Sequence, residues 1–324
     1  MLNRLLKGAL LVIVVGVFLV GGGWFASKGL QAQPTPAPET PFRIGIMGAS
    51  GIDEYRADDN RGGAYADVTF NWLELLVRSR NIDAGEWGTW GEPRRTGYAY
   101  NWARSGATAR TLIESGQHTG LAEQVAAGEI DLIFISVGSN DFAPYRPDYD
   151  AIYSGQLAGQ TLDARLQGIV DDIALAIDTA RNDHEIPVVL TTIPNWSLSP
   201  AAQNDPRFAD AAGRERVSEA ISDVNGRLKT MAEERAGVWI ADLEVLGQEI
   251  FGQLQGGALP VGGEMIRLLS IGDEPHNGLL GDSIHVGTVL SGKMANFYLT
   301  YFNEALDLNI PPMTDEEILA SAGL

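Results

Sequence analysis

The chain has 324 residues and no cysteine, which excludes disulfides, thiolate metal sites and cysteine nucleophiles. Histidine is scarce as well, so imidazole chemistry is restricted to His118, His184, His276 and His285. Basic residues number 23 against 42 acidic ones, which gives a net charge of −19. Such a surface repels nucleic-acid phosphates and anionic lipid headgroups, so we expect no nucleic-acid partner.

One apolar run is long, from residue 9 to residue 26, and it follows Arg4 and Lys7. A helix of roughly 20 apolar residues spans a bilayer, and a basic flank remains in the cytoplasm. Residues 1–30 therefore predict a transmembrane signal anchor, or alternatively a cleaved signal peptide. Either interpretation places the rest of the chain outside the cytoplasm, and the first makes the membrane a partner. The proline-rich residues 31–41 predict a linker, which leaves one domain over 42–324.

Apolar segments of strand length alternate with amphipathic helical segments in this domain. Four strands are predicted at residues 43–47, 132–137, 188–192 and 238–241, and a weaker fifth at 98–102. Helices are predicted near 66–80, 161–182, 214–235 and 288–306. Continuous apolar strands separated by helices are typical of a parallel sheet covered on both faces. The predicted fold class is therefore α/β, a flavodoxin-like three-layer sandwich with a mostly parallel five-stranded sheet.

Small polar residues and glycines follow three of the predicted strands. Ser50 lies between glycines after the first strand, Gly106 follows the weaker strand, and Asn140 follows the strand at 132–137. Each has an ordinary alternative, because serine caps helices while glycine and asparagine form turns. In a parallel sheet, ligands bind at the carboxyl ends of the strands, where these three residues are expected to meet.

Asp282 and His285 are separated by two residues and precede the last long predicted helix. In a turn, this spacing brings both side chains to the same side, and the aspartate can fix the tautomer of a histidine base. A capped loop and half of a metal site are the alternatives. No other cluster of histidines and carboxylates supports a metal site, so we expect no metal and no cofactor.

Together, these four segments resemble the short blocks of the SGNH hydrolases, the GDSL esterase and lipase family, over roughly residues 42 to 306. That family carries a serine, a glycine, an asparagine and an aspartate–histidine pair in this order. The resemblance implies that Ser50 is the nucleophile, that His285 is its general base and that Asp282 orients His285. It also implies an oxyanion hole made by the backbone N–H groups of Ser50 and Gly106 and the side chain of Asn140.

The first block departs from the family pattern, because Ala49 and Gly51 stand where the family usually has aspartate and leucine. The reacting atoms remain, so we expect this change to affect the rate more than the reaction type. The resemblance implies a serine esterase that works through an acyl-enzyme. The alternatives are a lipase, a lysophospholipase or a thioesterase of the same family, and a non-catalytic module that binds the cell envelope.

Two features bear on the substrate. Asp53, Tyr55 and Arg56 follow the nucleophile and are predicted to contact the substrate, with a solvated loop or an internal ion-pair network as the alternative. Exposed aromatic rings stack on sugars, and an aromatic cluster precedes the second block, although such residues also build cores: Trp87, Trp90, Tyr98, Tyr100 and Trp102. The aromatic cluster favours a carbohydrate as the alcohol, and we expect the acyl group to be acetyl.

Overall fold

The computed structural model describes residues 42–324. The predicted anchor at residues 1–30 and the predicted linker at 31–41 lie outside the described residues. Within residues 42–324, no helix has both the length and the apolar character that crossing a membrane requires.

Nine strands form one parallel sheet, one hairpin and one small mixed sheet in the described part of the chain. The strands are β1 (Ile44–Gly48), β2 (Trp87–Thr89), β3 (Thr96–Tyr98), β4 (Leu132–Ser136), β5 (Val188–Thr191), β6 (Val238–Ala241), β7 (Ala258–Val261), β8 (Glu264–Ile271) and β9 (Asn277–Leu279). The central parallel sheet has the order β1-β4-β5-β6, and its register pairs Ile46 with Phe134 and Ile135 with Leu190. The four stronger predicted strands are thus confirmed.

The prediction of a fifth strand at 98–102 is wrong, because the parallel sheet has four strands. Tyr98 ends the β2–β3 hairpin, and the following residues meet β1 at a single bridge between Ile46 and Asn101. The Asn101 side chain bonds the Ile52 carbonyl at 2.7 Å and the Ala103 N–H at 3.0 Å. These bonds turn the chain into a loop after one pairing, so the segment flanks β1 without forming a strand.

Ten α-helices surround the sheet within residues 42–324. They are α1 (Trp72–Arg80), α2 (Ala109–Glu114), α3 (Gln117–Ala126), α4 (Pro147–Ser154), α5 (Gly159–Arg181), α6 (Pro200–Gln203), α7 (Ala211–Glu233), α8 (Leu243–Gly252), α9 (Thr288–Leu306) and α10 (Asp315–Ser321). The helix predicted from residue 66 begins at Trp72, because Asn71 caps it reciprocally with Glu74. Residues Gly63–Val68 form a separate 3-10 turn.

The two faces of the sheet carry separate cores, as the continuous apolar strands predict. On one face Phe134 packs against Trp72 and Tyr298, with ring centroids 4.6 and 4.9 Å away. On the other face Ile133 and Ile135 pack with residues of α3, α5 and α7. Burying each large side chain contributes about 1.5 to 3 kcal/mol, so the sheet is a rigid base for the loops at its carboxyl edge.

Candidate active site

The candidate site lies at the carboxyl ends of β1 and β4. After β1, the chain forms a segment that meets one side of this strand at the bridge between Asn101 and Ile46. It then crosses to the other side of β1 and pairs there as β4. A crevice opens in such a sheet where successive connections diverge. Ser50 follows β1, Asn140 follows β4, and Gly106 follows the segment that flanks β1.

A tight turn holds Ser50 after β1. A Cβ added at Gly48 would lie 2.3 Å from the Ser136 carbonyl oxygen, so β1 approaches β4 more closely here than a side chain allows. The Ala49 carbonyl then accepts the N–H of Asp53 at 3.1 Å. Ser50 is partly exposed, and neither its hydroxyl nor its N–H bonds another residue among those described. Both groups are therefore free to meet a ligand.

The backbone around Gly106 is tied to the two neighbouring blocks. Gly106 has φ of +82°, in the left-handed region that favours glycine. The Asp53 carboxylate accepts the Ser105 N–H at 2.7 Å, and Asn140 Nδ2 donates to the Ala107 carbonyl at 2.9 Å. The Gly106 N–H itself has no acceptor in residues 42–324. Hydrogen bonds thus join the three blocks at the carboxyl ends of β1 and β4.

Asn140 is buried with one amide hydrogen still free. An amide nitrogen carries two hydrogens, and the Ala107 carbonyl takes one of them. The Asn140 oxygen accepts the hydroxyl of Tyr145. Burial raises the pKa of the adjacent Asp141 to about 6, although the Ala109 N–H at 2.9 Å opposes this rise. The 3-10 turn that contains Asn140 is therefore anchored on both sides.

Asp282 and His285 are in direct contact. Oδ2 of Asp282 lies 2.6 Å from Nδ1 of His285, and Oδ1 accepts the backbone N–H groups of Ile284 and His285 at 2.9 Å each. Burial favours a higher pKa for Asp282, but the hydrogen bond and charge of His285 and these N–H groups lower its pKa below the usual range. Nε2 of His285 is buried and has no hydrogen-bond partner among the described residues.

A family model for GDSL-like lipases and acylhydrolases matches residues 44–245. This match covers more than half of the chain and includes the first three blocks. The chain belongs to the GDSL-like lipase/acylhydrolase family. The family resemblance is thereby confirmed, and the protein is a hydrolase that acts on ester bonds. Asp282 and His285 lie beyond the matched residues.

Solved structures resemble this GDSL-like hydrolase at low sequence identity. A family 3 carbohydrate esterase from Clostridium thermocellum is 15% identical with a TM-score of 0.43, covering 83% of this chain and 98% of its own. A family 3 carbohydrate esterase from Talaromyces cellulolyticus is 13% identical with a TM-score of 0.42, and the match covers 83% of this chain and 100% of that one. A gut microbial diltiazem-metabolizing enzyme is 15% identical with a TM-score of 0.44, covering 82% and 48%. No curated protein matches the sequence. Likeness at this distance does not indicate a substrate.

Arg61 belongs to the site of the GDSL-like hydrolase, although the sequence did not single it out. Its Nη1 lies 2.7 Å from Asp282 Oδ2 and 2.7 Å from His285 Nδ1. Its Nη2 bonds Asp59 at 2.6 Å and the Ser105 hydroxyl at 3.3 Å. Only 13% of the side chain is exposed. The one signal in the sequence is its position at the end of the polar segment after Ser50.

The three predicted substrate contacts occupy different environments. Asp53 is buried, which raises its pKa to about 6 against the opposing hydrogen bond from the Ser105 N–H. Tyr55 is also buried, and its ring meets the His285 ring edge-on with centroids 5.8 Å apart. Arg56 is exposed and lines a separate cavity. Hence Asp53 and Tyr55 support the loops of the site, and Arg56 alone faces solvent.

The residues of the predicted aromatic cluster also lie in different environments. Trp90 and Trp102 both pack on the Arg94 guanidinium, whose carbon lies 4.7 and 4.3 Å from the two rings. Trp87 is 46% exposed.

Within residues 42–324, no three histidine, aspartate or glutamate side chains are grouped so that they could hold a metal ion.

Proposed function

We propose that the protein is a serine esterase in which Ser50 attacks the ester carbonyl and His285, oriented by Asp282, is the general base. The observation that carries this proposal is the hydrogen-bonding of His285. Its Nδ1 lies 2.6 Å from Asp282, whereas its buried Nε2 has no partner among the described residues. An imidazole held at one nitrogen and open at the other is arranged to take a proton at the open one.

In the first step Nε2 takes the hydroxyl proton of Ser50 while Oγ bonds to the carbonyl carbon. The tetrahedral intermediate then expels the alcohol oxygen, which leaves with the proton from Nε2, and the acyl group remains on Ser50. Water next gives a proton to Nε2 while its oxygen attacks the acyl carbon. Ser50 leaves with that proton, and the carboxylic acid is released. One water is consumed for each ester cleaved.

We propose that three N–H groups receive the negative charge on the carbonyl oxygen. They are the backbone N–H groups of Ser50 and Gly106 and the second amide hydrogen of Asn140. The support is that none of the three has an acceptor among the described residues. Such preorganised donors stabilise charge that develops only in the transition state, so each affects turnover more than binding.

The proposed acyl group is short, with acetyl as the first candidate. Charged side chains lie beside Nδ1 of His285, since Arg61 and Asp282 contact this atom and Asp59 pairs with Arg61. A long alkyl chain lying against these groups would remove their water without replacing the lost hydrogen bonds, which costs several kcal/mol for a charged group. An acetyl group is small enough to avoid this cost.

The proposed alcohol is a carbohydrate.

We also propose that the domain acts outside the cytoplasm, held at the membrane by residues 1–30. The support is the basic flank at Arg4 and Lys7 followed by the long apolar run. A protease added to intact cells should then digest a C-terminal epitope tag. Protection of the tag until the cells are lysed would contradict this orientation.

Hydrolysis of p-nitrophenyl acetate by the full-length chain in a non-ionic detergent tests the esterase proposal. Ser50→Ala should lose at least ~10³-fold in turnover. Ser154→Ala is the matched control, because this serine is exposed at the end of α4, and it should retain full activity. Octanoate esters should be cleaved more slowly than acetate. Turnover that survives in Ser50→Ala would exclude this nucleophile, and an inactive but folded wild type would favour a binding module.

A further inference from the structure

A cavity of about 350 Å³ adjoins the chain segment that supports His285. Its lining consists of Arg56, Phe70, Glu74, Arg78, Trp87 and Tyr98. Arg56 directly follows Tyr55, whose ring contacts His285, and the Phe70 N–H donates at 3.0 Å to Thr288, three residues after His285. The volume is at the small end of the range for ligand sites, which begins near ~300 Å³.

Two arginines of this cavity form no salt bridge with a described residue. The guanidinium carbons of Arg56 and Arg78 lie 5.3 and 4.5 Å from the centroid of the same ring, Phe70. Neither guanidinium forms a salt bridge or donates a hydrogen bond to a residue in the described part of the chain. By contrast, Arg43 and Arg61 each contact a carboxylate at 2.6 Å. Each guanidinium presents a planar fork of N–H donors, and such a fork matches a carboxylate.

Two carboxyl groups lie near these arginines, and one of them, Glu74, lines the cavity itself. Glu74 accepts the backbone N–H groups of Asn71 at 2.9 Å, Tyr55 at 3.2 Å and Arg56 at 3.4 Å, and burial raises its pKa to about 7. Glu54 accepts the Tyr98 N–H at 2.9 Å, and burial raises its pKa to about 8. Near neutral pH both carboxyl groups therefore carry less than a full charge and have their own N–H donors.

The same cavity offers a surface for a sugar ring. Trp87 is 46% exposed and stands edge-on to Tyr98, with centroids 5.0 Å apart and planes at 90°. Tyr98 thus packs on one side of the Trp87 ring and leaves much of the indole open to solvent. An exposed indole provides a large apolar contact area and an N–H that can donate a hydrogen bond. The Tyr98 hydroxyl bonds no other described residue and can donate to a sugar oxygen.

We infer that this cavity binds a carboxylate-bearing sugar unit of an acidic glycan, with Arg56 and Arg78 on the carboxylate and Trp87 against the ring. The inference that such a glycan is the substrate rests on the proposed esterase function. The net charge of −19 repels an anionic polymer at long range, but at physiological salt this repulsion decays over ~8 Å. Contacts inside the cavity then decide binding.

Isothermal titration calorimetry on the full-length chain near pH 7 tests the inference with three probes. Trigalacturonate carries both sugar rings and carboxylates, maltotriose carries rings alone, and tricarballylate carries three carboxylates without a ring. We expect trigalacturonate to bind at least ~10-fold more tightly than either control probe. Arg78→Gln and Arg56→Gln should each weaken its binding by about tenfold or more, whereas Ser50→Ala should retain it.

Each other outcome overturns part of the inference. Equal binding of tricarballylate would indicate a simple anion site, and equal binding of maltotriose would indicate a neutral sugar site. Trigalacturonate affinity that is unchanged in both arginine variants would exclude the cavity. If one variant fails to fold, the other still decides, because the two side chains lie on separate loop and helix segments. Binding without p-nitrophenyl acetate hydrolysis would sustain the site and reject the esterase; hydrolysis without binding would do the reverse.

Discussion

Nη1 of Arg61 lies 2.7 Å from Nδ1 of His285, the ring nitrogen that also lies 2.6 Å from Asp282. Arginine can only donate hydrogen bonds. When the neutral ring carries its proton on Nδ1, both Arg61 and His285 donate to the same Asp282 oxygen, and Nε2 is free to accept a proton. When the proton is on Nε2, Arg61 can donate to Nδ1 instead. Arg61 therefore favours the tautomer with the proton on Nε2. A general base needs the other tautomer, with the proton on Nδ1 and Nε2 free.

Replacing Arg61 by leucine should increase the population of His285 with its proton on Nδ1, because the competing donor is removed. The variant should also unfold about 1 to 3 kcal/mol more easily, since Asp59 and Asp282 lose their shared cation. Nitrogen-15 chemical shifts of labelled histidines measure the tautomer, and urea unfolding measures the stability.

Two variants provide references for the Arg61 experiment. Arg61→Lys keeps the charge and should lie between wild type and leucine in both measurements. Asp282→Asn keeps an oxygen for the backbone N–H groups but presents an amide donor to Nδ1, so it should move the proton to Nε2. A tautomer that is the same in Arg61→Leu and wild type would show that Arg61 only holds the loops together.

Asn140→Ala should lower kcat for p-nitrophenyl acetate by roughly 10²- to 10³-fold with little change in KM, because an oxyanion donor acts mainly in the transition state. Tyr145→Phe is the matched control. It removes the hydroxyl that donates to the Asn140 oxygen but leaves both amide hydrogens in place, so we expect less than about a tenfold loss. Equal losses in the two variants would mean that turnover depends on the hydrogen bond from Tyr145 to the Asn140 oxygen, and not on the second amide hydrogen as an oxyanion donor.

Glu54→Gln should make stability less sensitive to pH. Burial raises the pKa of Glu54 from 4.5 to about 8, so between these values the folded chain holds a proton that the unfolded chain releases. The stability contributed by this group is complete below pH 4.5 and is lost as the pH rises toward about 8. The stability of Glu54→Gln relative to wild type should therefore rise across this window, by about 2 kcal/mol or more.

Urea unfolding at about pH 5, 7 and 8.5 measures this difference for Glu54→Gln. Glu316→Gln is the control, because Glu316 is an exposed residue of α10. Its stability relative to wild type should stay constant over the same pH values. A constant difference for Glu54→Gln as well would mean that Glu54 is already ionised in the folded protein.

Much of the fold follows from local pattern. The continuous apolar runs predict β1, β4, β5 and β6 within one residue at each end, and the helical period predicts α5, α7 and α9 within about three residues. The segment at 98–102 was mispredicted because its apolar content suits a strand, while the two side-chain hydrogen bonds of Asn101 favour a loop. The start of α1 was displaced because the reciprocal cap of Asn71 and Glu74 outweighs the apolar period before it.

Local residue patterns were enough to establish the α/β class, the order of the four blocks and the family, because each of these depends on residues that are close together in the chain. The contact between Arg61 and His285, which are 224 positions apart, became visible only in the folded chain. The same holds for Arg56 and Arg78, which share one aromatic ring beside Trp87 and form no salt bridge with a described residue. These contacts form between side chains that the packed sheet and helices bring together. The spacing of the residues along the chain does not predict them.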